Sequence, residues 1–350
     1  MKNRNKEKGF SLLEMLVSLA ILVIVSGTVI MGMIRMTWSQ NTVMNRTQAH
    51  SSVRNATELM QQEIGQAGRL STIAGLKVTS ATIVGSNTSL GLDSTSGSLV
   101  GLYNGEQLVV DPNSTDEETV TISNLNTATK TFDATFANAH AANKPALIMG
   151  GFASGIVPPS TKYIFSGTSV NNTQTTSATG SDGYTLKLYG DLNGDGNMVY
   201  VVYKCSPDQS GKGTLARYVT TSGADITAST TTAVTGTVLL DTLYLNPPTN
   251  NPAPCFTYTT KDAAVTINGG QVVQTFVVNV AVTLTVQTQN KDLKTNAYQY
   301  ETKALLNVAP RNIFDAWELA SSPSGYTRAQ PMPPNVWSNL VTANLGTPSN

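Results

Sequence analysis

The chain has 350 residues, of which only 13% are charged, and its 22 Lys and Arg balance its 22 Asp and Glu. A neutral, weakly charged surface gives no electrostatic footing for nucleic acid as a main ligand. The length suffices for one long helix and a head of one or two domains. A short basic leader comes first, with Lys2, Arg4, Lys6 and Lys8 against Glu7. Gly9 closes it, and an apolar run opens at Phe10. Met15 to Ile34 are 20 residues without a charge. As a helix they span roughly 30 Å, the thickness of a bilayer core. The basic cluster ahead of them predicts a leader kept in the cytoplasm and a head sent outward. A secretory signal peptide has a shorter apolar core closed by small residues, and no such A-x-A pattern closes this run. One carboxylate, Glu14, stands inside it.

The stretch Lys8-Gly9-Phe10-Ser11-Leu12-Leu13-Glu14 resembles the processing site of type IV prepilins and type II secretion pseudopilins. The resemblance implies cleavage between Gly9 and Phe10 by a prepilin peptidase and N-methylation of Phe10. It implies residence in the inner membrane as a precursor, with the head outside the cytoplasm, and in a pilus or periplasmic filament after assembly. The implied partners are other pilins or pseudopilins, met through the N-terminal helix. Glu14 needs either headgroup depth or a counter-charge. The resemblance favours the counter-charge, namely the free amine of Phe10 on the same or an adjacent subunit.

Helical sequence continues beyond the apolar run. Ala49, Val53, Ala56, Met60, Ile64 and Ala67 fall at spacings of three and four, the stripe of an amphipathic helix. Gly65 and Gly68 mark its end. Phe10 to Gly68 predicts a rod of about 89 Å, loosest at Gly27 and Gly32. The signals then turn to strand. Leu99–Tyr103 and Gln107–Val110 flank Asn104-Gly105, a hairpin signal. Tyr184–Tyr189 and Met198–Tyr203 flank a loop of Gly, Asn and Asp. Val238–Tyr244 and Ala263–Ile267 read as strands. Val272–Val286 turns at Asn290-Lys291-Asp292 into Ala297–Leu306, a long terminal hairpin. Thr168–Ser181 and Thr220–Thr232 read as surface loops. Beyond Pro310 the prolines argue against another regular domain, while Trp317 and Trp337 suggest that part of the tail packs on the head.

The expected fold class is therefore α+β, a long N-terminal helix packed on a β-rich head. The expected divisions are a leader at 1–9, a membrane and filament-core helix at 10–69, an extracytoplasmic head at 70–310 and a Pro-rich tail at 311–350. The two cysteines, Cys205 and Cys255, suggest one disulfide in an exported protein. A loop of that length is worth roughly 4 kcal/mol by chain entropy.

Asp191-x-Asn193-x-Asp195-Gly196 matches the first half of an EF-hand calcium loop, with Asn197 offering a backbone carbonyl. The position of the bidentate Glu is Val202, so Asp182 or Asp208 would have to complete the set. The alternative is a polar hairpin turn. No cofactor is required, and calcium is the one candidate. No H-E-x-x-H, G-x-S-x-G, P-loop or C-x-x-C occurs, so no enzyme is expected. His140 reads as a surface-loop residue and Glu117-Glu118 as a solvated turn.

The helix end Glu63-Ile64-Gly65-Gln66-Ala67-Gly68, the Asp191–Gly196 loop leading into Tyr200–Tyr203, and Leu215-Ala216-Arg217 resemble the large PilW-like minor pilins and pseudopilin J. That resemblance implies a minor type IV pilin that helps prime or cap pilus assembly. The alternatives are a minor pseudopilin of type II secretion and a tip-located adhesin or ligand-binding pilin.

Overall fold

The computed structural model describes residues 11–159, 164–166, 169–171, 180–222, 236–267, 270–321, 329–331 and 333. It divides into two units, Met1–Ser51 with Gln287–Glu301, and Ser52–Val286 with Thr302–Asn350. Helix α1 (Leu12–Gln66) runs unbroken through Gly27 and Gly32, without the loosening expected there. Leucine, isoleucine, valine and methionine dominate its first half, and no proline interrupts it.

In the first unit, the front of α1 is accompanied by the loop of residues 288–299. Asp292 organises that loop. Its carboxylate accepts from Lys294 N, Thr295 N and the Gln299 amide at 2.8, 3.0 and 2.9 Å, and from the Thr42 hydroxyl of α1 at 2.7 Å. These donors, the Thr42 hydroxyl foremost, hold the Asp292 carboxyl below its ordinary range.

The second unit holds two seven-stranded sheets. The first consists of β1 (Lys77–Val78), β2 (Gly85–Asp93), β3 (Gln107–Val110), β4 (Glu118–Thr121), β5 (Ser123–Asn126), β6 (Thr131–Phe136) and β7 (Lys144–Ile148). Their order is β4-β3-β7-β1-β2-β6-β5, and every pairing is antiparallel. Phe132, Ala134 and Phe136 alternate inward along β6, as a half-buried strand requires.

The short strands β8 (Gly151–Phe152), β9 (Ile164–Ser166) and β10 (Ser169–Asn171) follow. The second sheet holds β11 (Thr185–Gly190), β12 (Met198–Ser206), β13 (Gly213–Ser222), β14 (Gly236–Tyr244), β15 (Phe256–Ile267), β16 (Gly270–Gln287) and β17 (Tyr300–Val308). Its order is β11-β12-β13-β14-β16-β15, with β17 also on β16. Helix α2 (Arg311–Ser321) and β18 (Ala329–Gln330) close the described chain, and β18 pairs in parallel with β8.

The α+β class holds, and so do the α1 stripe, the β11–β12 hairpin, β14 and β16. Other expectations change. Leu99–Tyr103 is no strand; Leu99, Leu102 and Tyr103 reach the core from turns, and β3 pairs with β4 and β7 instead. The strand expected at Ala263–Ile267 begins seven residues earlier, where alternating threonines pair with β16. The one expected at Ala297–Leu306 starts at Tyr300, because Asp292 widens the turn before it. The loop expected from Thr220 begins as strand to Ser222, and Ser169–Asn171 is strand inside the other expected loop; 172–179 and 223–232 lie outside the described residues. The tail opens with a helix, α2, whose Ile313 and Ala316 are buried. Trp317 packs against Phe314 on it, with ring centroids 5.5 Å apart, while Trp337 lies outside the described residues.

Candidate functional site

The sequence placed function at the N-terminus. Gly9 and Phe10 lie outside the described residues. Ser11 stands immediately before α1, and its hydroxyl accepts from Leu13 N at 3.3 Å, the bond of an N-cap. Glu14 falls in the first helical turn, where the helix dipole favours a carboxylate. From residue 12 to 40 every side chain is exposed, although most are apolar. The helix is long and apolar enough to cross a membrane, and none of its most apolar window is covered by the protein. Such a surface needs an apolar medium or neighbouring helices.

The rear of α1 is built differently. Val53, Ala56, Met60, Ile64 and Ala67 are buried, as their spacing predicted. Between them stands Glu63, only 5% exposed. The guanidinium of Arg217 on β13 grips its carboxylate in two-point fashion, through Nη2 on one oxygen and Nε on the other at 3.2 Å. The hydroxyl of Tyr203 on β12 donates to the same carboxylate. Burial first, and then the Glu63 charge, push the Tyr203 phenol far up, so it stays a donor. Burial works most strongly on Arg217 and lowers it, but the Glu63 bond and charge, with Tyr203, together outweigh burial and raise the guanidinium. Three segments that carry the subfamily resemblance thus meet at one carboxylate.

The helix end is a glycine joint. Gly68 has φ +80°, a conformation suited to glycine after a helix. Its N–H donates to the Tyr189 carbonyl and its carbonyl accepts from Phe152 N, both at 2.9 Å. Asn312 on α2 donates to the carbonyls of Gln66 and Ala67 at the helix end, and Arg69 N also donates to the Gln66 carbonyl at 3.1 Å. A Cβ on Gly155 would stand 2.2 Å from the Gly68 Cα, so the backbones touch there.

The Asp191 loop follows from this joint. Asp191 N donates to the Arg69 carbonyl at 2.9 Å. The Asp191 carboxylate is buried and accepts from Asp195 N and Gly196 N at 3.0 and 3.2 Å, with Arg69 Nε at 3.7 Å. Asn193, Asp195 and Asn197 are exposed, and Asp195 accepts from Asn197 N at 2.9 Å. Asp182 and Asp208 cap their own local turns, accepting from Tyr184 N and Ser210 N. Among the described residues no three His, Cys, Asp or Glu gather as a metal-binding group.

Cys205 and Cys255 are joined, as expected, tying β12 to the segment just before β15 across a Cα–Cα distance of 6.5 Å.

Two polar sites escaped the sequence. His140 is not a surface residue; its side chain is 1% exposed, held by Glu118 Oε1 at 2.8 Å and packed edge-on to Phe136. Glu118 is no solvated acid, since it also accepts from Ala137 N and Asn138 N. Both corrections share a cause: partners that lie 22 residues apart in the chain. Glu106 is also buried, and that burial pushes its carboxyl well up.

No curated protein and no solved structure matches the chain. Residues 4–30 match the prokaryotic N-terminal methylation motif. That match takes in the leader from Arg4, the Gly9–Phe10 junction and Glu14, and it runs into the uncovered apolar helix. The chain therefore carries a type IV prepilin-like signal at its N-terminus.

Proposed function

We propose that this protein is a minor type IV pilin, a non-enzymatic subunit that helps prime or cap pilus assembly. The observation that carries the reading is the joining of a prepilin-like signal to a helix whose apolar front is bare and whose rear is locked into a β-rich head. A bare front suits bilayer lipid before assembly and neighbouring helices afterwards. A locked rear carries the head along with the helix. The basic leader and the Cys205–Cys255 bond support a head outside the cytoplasm. Prepilin peptidase acts between Gly9 and Phe10 in this scheme, and the freed, methylated amine of Phe10 pairs with Glu14.

The test is incorporation. Glu14→Ala is expected to be inserted and cleaved normally but to enter sheared filaments poorly. Normal entry would reduce Glu14 to an interfacial residue. Loss of protein secretion with intact pili in a deletion strain would instead assign the subunit to a type II secretion pseudopilus.

Calcium at the Asp191 loop is a separate proposal. The cation would have to displace Arg69 from the Asp191 carboxylate. A higher melting temperature in millimolar calcium than in chelator, lost in Asp195→Ala, would support it; equal temperatures would leave a polar turn.

A further inference from the structure

The loop between β16 and β17 descends along the front of α1. Gln289 meets Gln48, the Asn290 carbonyl meets Asn45, and Asp292 meets Thr42. The chain then turns and climbs again, with Gln299 opposite Arg46 and Glu301 opposite His50. Residues 293–298 are therefore the end of the loop nearest the apolar segment of the helix. That end is not an ordinary polar turn. Leu293 is 51% exposed and Tyr298 is 37% exposed. Lys291 lies over the Tyr298 ring, 5.5 Å from its centroid, and Lys294 is exposed beside them. The one acid, Asp292, is buried and turned to hydroxyl and N–H donors. The outward charge of the tip is thus positive.

The helix beside it changes character at the same level. The uncharged run ends at Ile34, Arg35 follows, and Trp38 is 40% exposed. A basic residue and then an aromatic one mark the edge of a membrane span. Thr42 stands about 10 Å above Arg35 along the helix. The headgroup layer is about 5–7 Å thick on each side, and the tip continues from the Thr42 contact with long side chains, Lys294 and Tyr298, that extend its reach.

We propose that the 291–298 tip rests in the lipid headgroup layer while the protein awaits assembly. Lys291 and Lys294 meet lipid phosphates, and Leu293 and Tyr298 enter the interface. The tip then holds the front of α1 upright in the bilayer and is vacated when the subunit leaves it. This rests on the membrane-anchored reading of α1.

The test uses the full chain in phosphatidylethanolamine vesicles containing phosphatidylglycerol. With Cys205 and Cys255 joined, a single added cysteine takes a fluorophore selectively. Labels at Ala297→Cys, Ser51→Cys and Val23→Cys are compared for quenching by lipids carrying a nitroxide at the headgroup or deep in the acyl chain. Severalfold stronger headgroup quenching at Ala297 than at Ser51 is expected. The K291E/K294E double variant should remove that excess and leave deep quenching at Val23 unchanged. Equal quenching at Ala297 and Ser51, with Val23 still quenched deeply, would overturn the proposal alone and leave the tip for a neighbouring subunit. Absence of deep quenching at Val23 would overturn the membrane reading and the proposal with it.

Discussion

Glu63 shows how one side chain couples a helix to a sheet. Arg217 and Tyr203 lie 154 and 140 residues away in the chain, and both reach its carboxylate. Removing one partner of such a pair leaves a charge without compensation in a poorly solvated place. Arg217 is 22% exposed in its side chain, so solvent recovers part of the loss. Arg217→Ala is expected to lower unfolding free energy by about 2–3 kcal/mol, measured by urea denaturation. Glu63→Gln combined with Arg217→Met should lose less than Arg217→Ala alone. Glu106 gives a pH dependence of definite sign. Burial raises its carboxyl in the folded chain above the unfolded value. Its contribution is therefore fully present below the unfolded carboxylate range and is lost as pH rises toward the folded value. As pH rises above the ordinary carboxylate range, the protein should lose stability that Glu106→Gln retains. A variant with the same pH profile as the parent would contradict this. Neither these two sites nor the His140–Glu118 pair was legible in the sequence. Glu63 sits among apolar residues with no local hint of a cation, and nothing about Ala139-His140-Ala141 announces Glu118. Side-chain pairing across the chain leaves no periodic trace.

At the scale of elements, legibility followed the strength of the period. The α1 stripe repeats over five turns, and each residue named from it is buried. The β-branched run of β16 and the flanks of the Asp191 loop were equally plain. Failures came where a short segment is buried from a turn, as at Leu99–Tyr103, or where side chains reset a boundary, as Asp292 does before β17. Helix α2 was missed because the prolines around it drew attention away from Ile313 and Ala316. Pro310 in fact suits a helix start, its carbonyl accepting from Phe314 N at 2.9 Å. The glycine joint sets a prediction of its own. Gly155→Ala would place a methyl 2.2 Å from the Gly68 Cα, against backbone that cannot swing aside. A loss of about 1–3 kcal/mol or more is expected, read as an earlier urea midpoint. Gly65→Ala, at a helical site with open space around it, should be neutral or slightly stabilising.

At the scale of the whole molecule, one chain combines an apolar helical front with a disulfide-bonded β-rich head. Among the described residues nothing covers the apolar surface of the front, a surface that suits an apolar medium or neighbouring helices. The prepilin-like signal points to how those surroundings are reached: the apolar helix anchors the precursor, and in the proposed scheme cleavage after Gly9 frees the amine with which Glu14 would pair. This part was legible because it is a local motif, read by an enzyme from consecutive residues. Sequencing the N-terminus of the protein isolated from its own cell, together with its intact mass, tests it. The expected result is a chain that begins at Phe10 with a methylated amine, and a Gly9→Leu variant that keeps its leader and stays in the membrane. A mature chain that begins at Met1, or beyond the apolar run, would contradict the assignment.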